Sequence, residues 1–339
     1  FQRFDIRCVL VLQRYLLLLV VLALAAGVSP FLGDGPSSQM ASLHLNDLNW
    51  GVAVVGLLGI ATTLATTCVH RQRLLALVLL GATGLTVCLT FAYFSAPDLA
   101  LTQLLVELAT VMLMMLALHW LPAESTASPH RIRAWRDAVI AIAVGLGVAA
   151  LVWMVLTRPG QSISDYFLAT TLPLGGGANA VNVIIVDYRG FDTLGEITVL
   201  GISALILHAL LANFNTAPAA LSGTDGHPLM LQLVARLVLP FTVLVAVFFY
   251  LRGHNLPGGG FIGGLVLAIG LLLQSVAHGQ SWVAQRSSLD YRAWVGWGLV
   301  VAVLSGLASW WFGAPFLTST YDYPWLPGIG GVPLASASL

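Results

Sequence analysis

No lysine occurs among the 339 residues, and charged residues of both signs make up only 8% of the chain. A soluble domain carries about 25%. So sparse a set could not cover a water-facing surface. A mean hydropathy of +0.90 with 58% apolar residues points instead to an integral membrane protein. The 14 basic residues, all arginine, balance 14 acidic ones, so composition gives no argument for nucleic-acid binding. Cysteine is scarce too. Cys8, Cys68 and Cys88 form no C-x-x-C pair and are expected to be buried bystander thiols. There is no H-E-x-x-H, and the eight histidines are scattered, so neither a metal centre nor a cofactor is expected. No serine sits on a nucleophile-elbow pattern, which leaves membrane-embedded hydrolysis and enzymatic activity in general without support. The first residue is Phe rather than Met and no signal peptide is evident, so the chain is expected to be a segment of a longer product.

What the sequence has in abundance is apolar runs. A helix needs about 20 apolar residues to cross the hydrocarbon. Nine such runs occur, at 9–29, 49–69, 74–94, 98–118, 135–156, 192–212, 231–251, 259–278 and 292–312. Open strands would leave backbone groups unpaired in lipid, so each run reads as a helix. The expected fold is an all-α, polytopic bundle of about nine transmembrane helices. With a cytoplasmic N-terminus, the inner side holds Arg3, Arg7, Arg71, Arg73, Arg131, Arg133, Arg136, Arg286 and Arg292. The outer side then holds only Arg158, Arg189 and Arg252, an asymmetry that follows the positive-inside tendency.

Two connections stand out. Residues 157–191 form a long outer segment with Gly175, Gly176 and Gly177 followed by the apolar piece ANAVNVIIVDY, too short to span and read as re-entrant or interfacial. Residues 213–230, NFNTAPAALSGTDGHPLM, read as a linker between two modules. The resulting division is 1–47, a leading helix and outer loop; 48–212, a first module; the linker; and 231–339, a second module. The tail after 313 carries Tyr321, Tyr323 and Trp325, residue types that suit the membrane–water interface.

Ionisable groups inside spans are rare and face protein or a wet cavity. Glu107 lies within LALTQLLVELATVMLMMLAL, about 13 Å into its helix and so near the bilayer middle. Burial disfavours the charged form of a carboxyl, which suits a group that accepts and releases a proton. The competing reading is a permanently protonated or hydrogen-bonded structural residue. Asp98 opens the same helix after Ser95 and Pro97, where an acid meets the positive end of the dipole, so capping and function both fit. Nine residues at about 100° each point Asp98 and Glu107 to opposite faces, which excludes one shared metal site.

Asp192 and Glu196 in FDTLGEITVLGI share a helix face and form either a cation-attracting mouth or a solvated pair neutralised by Arg189. His208 is turned about 120° from Glu196 and reads as structural. In RGHNLPGGGFIGGL, starting at Arg252, the glycines lack a Gly-Lys-Ser/Thr and no strand precedes them, which rejects nucleotide binding. Gly259 with Gly263, and Gly260 with Gly264, are small-x-x-x-small pairs that let a second helix approach closely. His254, at the outer edge, fits a proton relay or an interfacial hydrogen bond. Arg236, near the inner start of its span, is placed to snorkel or to pair with an acid.

FSAPDLALTQLLVELATVMLMMLAL and NAVNVIIVDYRGFDTLGEITVLGI resemble the C-terminal part of the large A subunit of Mrp-type multi-subunit monovalent cation/proton antiporters. LVLPFTVLVAVFFYLRGHNLPGGGFIGGL and PFLTSTYDYPWLPGIGGVPLAS resemble the B subunit of the same complexes. The two resemblances meet at the linker. They imply a fused A–B chain in a bacterial inner membrane, with the other antiporter subunits, Na+, H+ and membrane lipid as partners. They also imply that Glu107, Asp98, Asp192 and Glu196 match intramembrane acidic positions on the ion route. The helix bearing Glu107 resembles a complex I span that can carry a π-bulge. Against the family pattern, the antiporter-like bundle ahead of this region and the final span of the B-type module are missing. Three functions follow: ion path, assembly scaffold without a path, or the ion-translocating module of a redox-linked complex.

Overall fold

The computed structural model describes residues 15, 18–23, 25–27, 49–118, 131–156, 162–213, 229–279, 282, 290–319, 321–322, 325–326, 330–331 and 334–335. Most of the first run and of the 213–230 linker lies outside these residues, as do Cys8 and Arg286. The fold is that of an all-α, multi-pass membrane protein. The long helices are α1 (Trp50–Cys68), α2 (Arg73–Tyr93), α3 (Pro97–Leu118) and α4 (Arg131–Leu156). After the short α5 (Ser164–Gly175) and α6 (Ala180–Val183), a π-helical turn covers Ile184–Tyr188. Then come α7 (Gly190–Asn213), α8 (Leu229–Arg252), α9 (Gly260–His278) and α10 (Tyr291–Ala308), which ends in a 3-10 turn, Ser309–Phe312. Among the described residues eight helices are long and apolar enough to cross a membrane. A ninth span is counted if α5 and the 180–188 helix, bent by 81° at their break, act as one.

Local chemistry sets the boundaries. The Asn49 side chain accepts from Gly51 N–H at 3.0 Å to start α1, and Asp290 does the same for Arg292 N–H at 3.1 Å ahead of α10. Pro97 fits the first turn of α3. Gly176, at φ 69°, closes α5 in the left-handed conformation that glycine adopts without cost.

By contacts the chain forms two compact units. One comprises residues 1–48 and 126–162, and contains α4. The other comprises 49–125 and 163–339 and contains every other labelled helix. In the second unit α2 packs between α1 and α3, α9 packs on α8 and α3, and α10 packs on α7. Its buried apolar residues are mostly small or medium: Ala100, Ala235, Ala246, Ala277, Leu77, Val183 and Ile262. Close approach of small residues, rather than a thick hydrophobic core, joins membrane helices. Gly263 lies against the Ala246 carbonyl of α8, and Gly270 against Thr242. Most large apolar side chains point outward, such as Leu57, Leu207 and Phe241, as expected of a surface in contact with lipid or neighbouring subunits.

The structure corrects or adds to the sequence reading at four points. The 178–188 piece is one arm of a bent pair whose other arm, Ser164–Gly175, was not foreseen. The π-turn lies at Ile184–Tyr188, whereas the helix bearing Glu107 is α-helical throughout. Cys68 is exposed, because it closes α1 where the chain turns out of the helix, and Cys88 is half-buried with its thiol donating to Ala100 O at 3.2 Å. In the tail, Tyr321–Asp322 pairs with Leu334–Ala335 and Trp325–Leu326 with Gly330–Gly331, both antiparallel. Those Pro- and Gly-rich residues lack the alternation that marks strands.

Candidate functional site

Asp98 begins α3 and is only 9% exposed. Its Oδ1 accepts the Gly258 N–H at 2.8 Å and its Oδ2 accepts the Asn179 side-chain amide at 2.9 Å. Gly258 precedes α9, so the carboxylate also faces the positive end of that helix. Asn179 sits at the break between α5 and α6. Its amide reaches the Gly253 and Leu256 carbonyls at 3.1 and 3.2 Å, and its Oδ1 accepts from Asn182 N–H at 3.3 Å, which caps α6. One carboxylate thus ties together the start of α3, the α5–α6 break and the α8–α9 turn. The Asp98 carboxylate therefore joins three segments of the unit instead of capping only its own helix.

His254 lies in the same knot, 4% exposed, in the turn between α8 and α9. The Gly175 carbonyl can only accept, so His254 Nε2 carries a hydrogen and donates to it at 2.9 Å. Nδ1 is buried with no hydrogen-bond partner among the described residues. A β-carbon on Gly177 would lie 2.5 Å from the His254 carbonyl oxygen, so only glycine admits this approach. Burial lowers the His254 pKa from its ordinary 6.5, opposed by the Gly175 bond and the charge of Asp187. A lowered folded-state value means that the unfolded chain binds its proton first as pH falls. The stability His254 contributes is therefore complete above about pH 6.5 and is lost as pH drops through the interval below it. Thermal unfolding of the purified complex between about pH 7.5 and 5.5 should show this decline, flattened by His254→Gln. An identical slope in that variant would assign the decline to other groups.

These contacts also orient the unit. The start of α3, the α5–α6 break and the α8–α9 turn meet at one end, joined there by the start of α7. Asp187 accepts the Ser319 N–H at 2.6 Å, and Gly190 lies against Leu317, beyond α10. This is the end to which the arginine asymmetry assigns the outer side.

Glu107 is half-buried on the face of α3 that meets α2. It has a polar neighbour one turn back, the Gln103 amide at 3.5 Å from Oε2. Opposite it, α2 presents Gly81 and Gly84. A β-carbon at Gly81 would lie 3.8 Å from Oε1, an ordinary contact. One at Gly84 would overlap the carboxylate itself. The side chain therefore faces protein across a glycine notch instead of pointing straight into lipid.

Asp192 and Glu196 are exposed near the start of α7, and Asp192 is ion-paired with Arg189 one turn earlier. With Ile185 they line an open surface pocket. His208 is exposed further along α7. Arg236 donates from Nε to His278 Nε2 at 3.1 Å, beneath which Trp282 stacks on His278 with ring centroids 4.1 Å apart. Its partner is thus a histidine, not an acid. Gly259 has φ 108° and borders Asn182, Gly260 lies beside Tyr250, and Gly263 packs on α8. No described atom lies within 4 Å of a β-carbon placed at Gly264. The structure brings Asp98 and His254 into one knot and leaves Glu107 and the Asp192/Glu196 pair apart from it. Sequence reasoning missed Asn179, Asp187 and Gly84. An Asn next to a glycine run and ahead of an apolar helix was the visible sign for the first.

Known proteins share both the sequence and the fold. Residues 58–123 match the MbhD family model, which describes the D-type component of MBH, and 132–227 match MbhE, which describes its E-type component. Residues 230–339 match the "Domain related to MnhB subunit of Na+/H+ antiporter". The probable K(+)/H(+) antiporter A/B protein of Rhizobium meliloti (strain 1021) is 41% identical over 360 residues, covering 97% of this chain and 36% of the relative. The large A component of the Na(+)/H(+) antiporter of Bacillus subtilis (strain 168) is 40% identical over 168 residues, 48% of this chain and 21% of the relative. The structure of the Mrp complex from Dietzia sp. DQ12-45-1b contains a chain that aligns with a TM-score of 0.78 at 31% identity, over 96% of this chain and 36% of that one. The chain thus spans little more than a third of the full-length relative and of the solved chain that match almost all of it. In sequence and fold, the chain is similar to the fused A/B components of Mrp-type antiporters, matching the C-terminal part of an A-type component continued into a B-type module.

Proposed function

We propose that this chain is part of a membrane subunit of a multi-subunit monovalent cation/proton antiporter in a bacterial inner membrane. It works with other subunits of that complex and with Na+ or K+ and H+, and it acts as a transporter segment rather than an enzyme. The relatives' printed functions support this reading, and one observation carries it to particular residues: the Glu107 carboxyl, mid-helix in α3, is seated against the α2 notch with Gln103 beside it. A half-buried carboxyl flanked by protein is suited to exchange a proton at bilayer depth. Asp98 and His254 at the outer knot, with the Asp192/Glu196 mouth, supply further acidic and titratable positions toward the outer side. Gly259, Gly260 and Gly263 serve close packing around the start of α9, whereas Gly264 faces open space among the described residues. Residues 48–212 and 231–339 are the two modules, joined by the linker and preceded by the leading helix within 1–47.

The test is exchange by the whole complex. In inside-out vesicles holding a respiratory proton gradient, adding Na+ or K+ salt should collapse the gradient only when the complete complex is present. No cation response from an assembled complex would contradict the proposal. A scaffold reading retains one observation in its favour, the fully partnered Asp98 carboxylate.

A further inference from the structure

Gly84 is the one position of α2 where a side chain would occupy the space of the Glu107 carboxyl: an added β-carbon overlaps Oε2, Cδ and Cγ. Gly84 is itself buried, so the space it leaves lies at the contact between α2 and α3. Gly81, one turn earlier, only brushes Oε1, at 3.8 Å. The neighbouring hydroxyls do not compete for the carboxylate. The Thr83 hydroxyl lies 3.0 Å from Leu79 O and 3.1 Å from the Thr62 hydroxyl, and Thr86 donates to Thr83 O, so these groups are engaged along α2 or toward α1. Among the described residues, Gln103 alone donates to the carboxylate, from its own helix. The missing side chain at 84 therefore decides where the Glu107 carboxyl lies.

We propose that Gly84 is a positioning residue for Glu107: its bare backbone forms the seat that holds the carboxyl between α2 and α3, within reach of Gln103. The inference rests on the ion-path reading of Glu107, and its test separates the two. An alanine at 84 forces the carboxyl out by roughly the width of a methyl group. Misplacement of a reacting group by about 1 Å can cost up to about 10²-fold in rate.

The experiment uses the complete complex in vesicles, with exchange normalised to assembled complex on native gels. Gly84→Ala should lower exchange by about tenfold or more. Combining it with Glu107→Asp, which withdraws the carboxyl by one methylene, should restore exchange to the level of Glu107→Asp alone. Gly81→Ala should stay within about twofold of wild type, since its contact is ordinary. Labelling of residue 107 by a lipid-soluble carbodiimide, read by mass spectrometry, is a second readout that does not depend on turnover. It should change several-fold in Gly84→Ala and not in Gly81→Ala. Wild-type labelling in Gly84→Ala would overturn the proposal, as would a loss of exchange that Glu107→Asp does not relieve. Should Glu107→Gln retain exchange, the ion-path reading falls, while the labelling still reports whether Gly84 seats the carboxyl.

Discussion

Asp98→Ala should prevent stable assembly of the complex, and Asp98→Asn should do so only in part. Alanine removes both acceptors at once. The Gly258 N–H is then left unpaired in a site that water does not reach freely, since the carboxylate it faces is 9% exposed, while the Asn179 amide keeps only its Gly253 and Leu256 carbonyls. The orphaned N–H costs about 1–3 kcal/mol, and the lost charge-assisted bond from Asn179 adds about 1.5–3 kcal/mol. The total, on the order of 3–5 kcal/mol, is a large share of what holds any folded domain together. The loss falls on three segments together: the start of α3, the α5–α6 break and the α8–α9 turn. Asparagine keeps one acceptor for Gly258 but turns its own N–H2 toward the Asn179 amide, or the reverse, so one contact survives. Native-gel yield of the complex measures the order wild type, Asn, Ala. Equal yields for all three would contradict the anchoring role. Normal yield of Asp98→Asn with abolished exchange would instead place Asp98 on the ion route.

The spans were legible because apolar run length is set by bilayer thickness, whatever the tertiary contacts. The runs 49–69 and 74–94 became Trp50–Cys68 and Arg73–Tyr93, and 98–118 became Pro97–Leu118. The reason for Asp98 was not legible, because its partners lie 81 and 160 residues away in sequence. The same holds for His254, whose partner Gly175 is 79 residues distant. Periodicity reports which way a residue faces on its own helix and says nothing of which glycine waits opposite. The Gly84 seat is the clearest case, since glycine in a span reads equally as packing or as weak helix. The bend between Gly175 and Ala180 was only half visible. The triple glycine marked a break, but a chain fragment of 12 residues with Pro173 inside it, SDYFLATTLPLG, did not read as a membrane helix.

Glu107→Gln is expected to have the largest effect on transport. Glutamine matches the carboxyl in size, so it fits the Gly84 seat and leaves the α2–α3 packing in place. It cannot release a proton, so any path that protonates and deprotonates this side chain stops. Proton transfer through a positioned group typically contributes about 10²–10⁴-fold, which sets the scale of the loss. A purely structural residue behaves in the opposite way: glutamine retains a hydrogen-bonding carbonyl and amide beside Gln103, so assembly and exchange would both persist.

The decisive measurement is cation-induced collapse of the proton gradient in vesicles carrying the Glu107→Gln complex, normalised to assembled complex on a native gel. An exchangeable proton at residue 107 predicts normal assembly with exchange reduced to the level of vesicles without the complex. Wild-type exchange per assembled complex would show that no essential proton passes through this carboxyl.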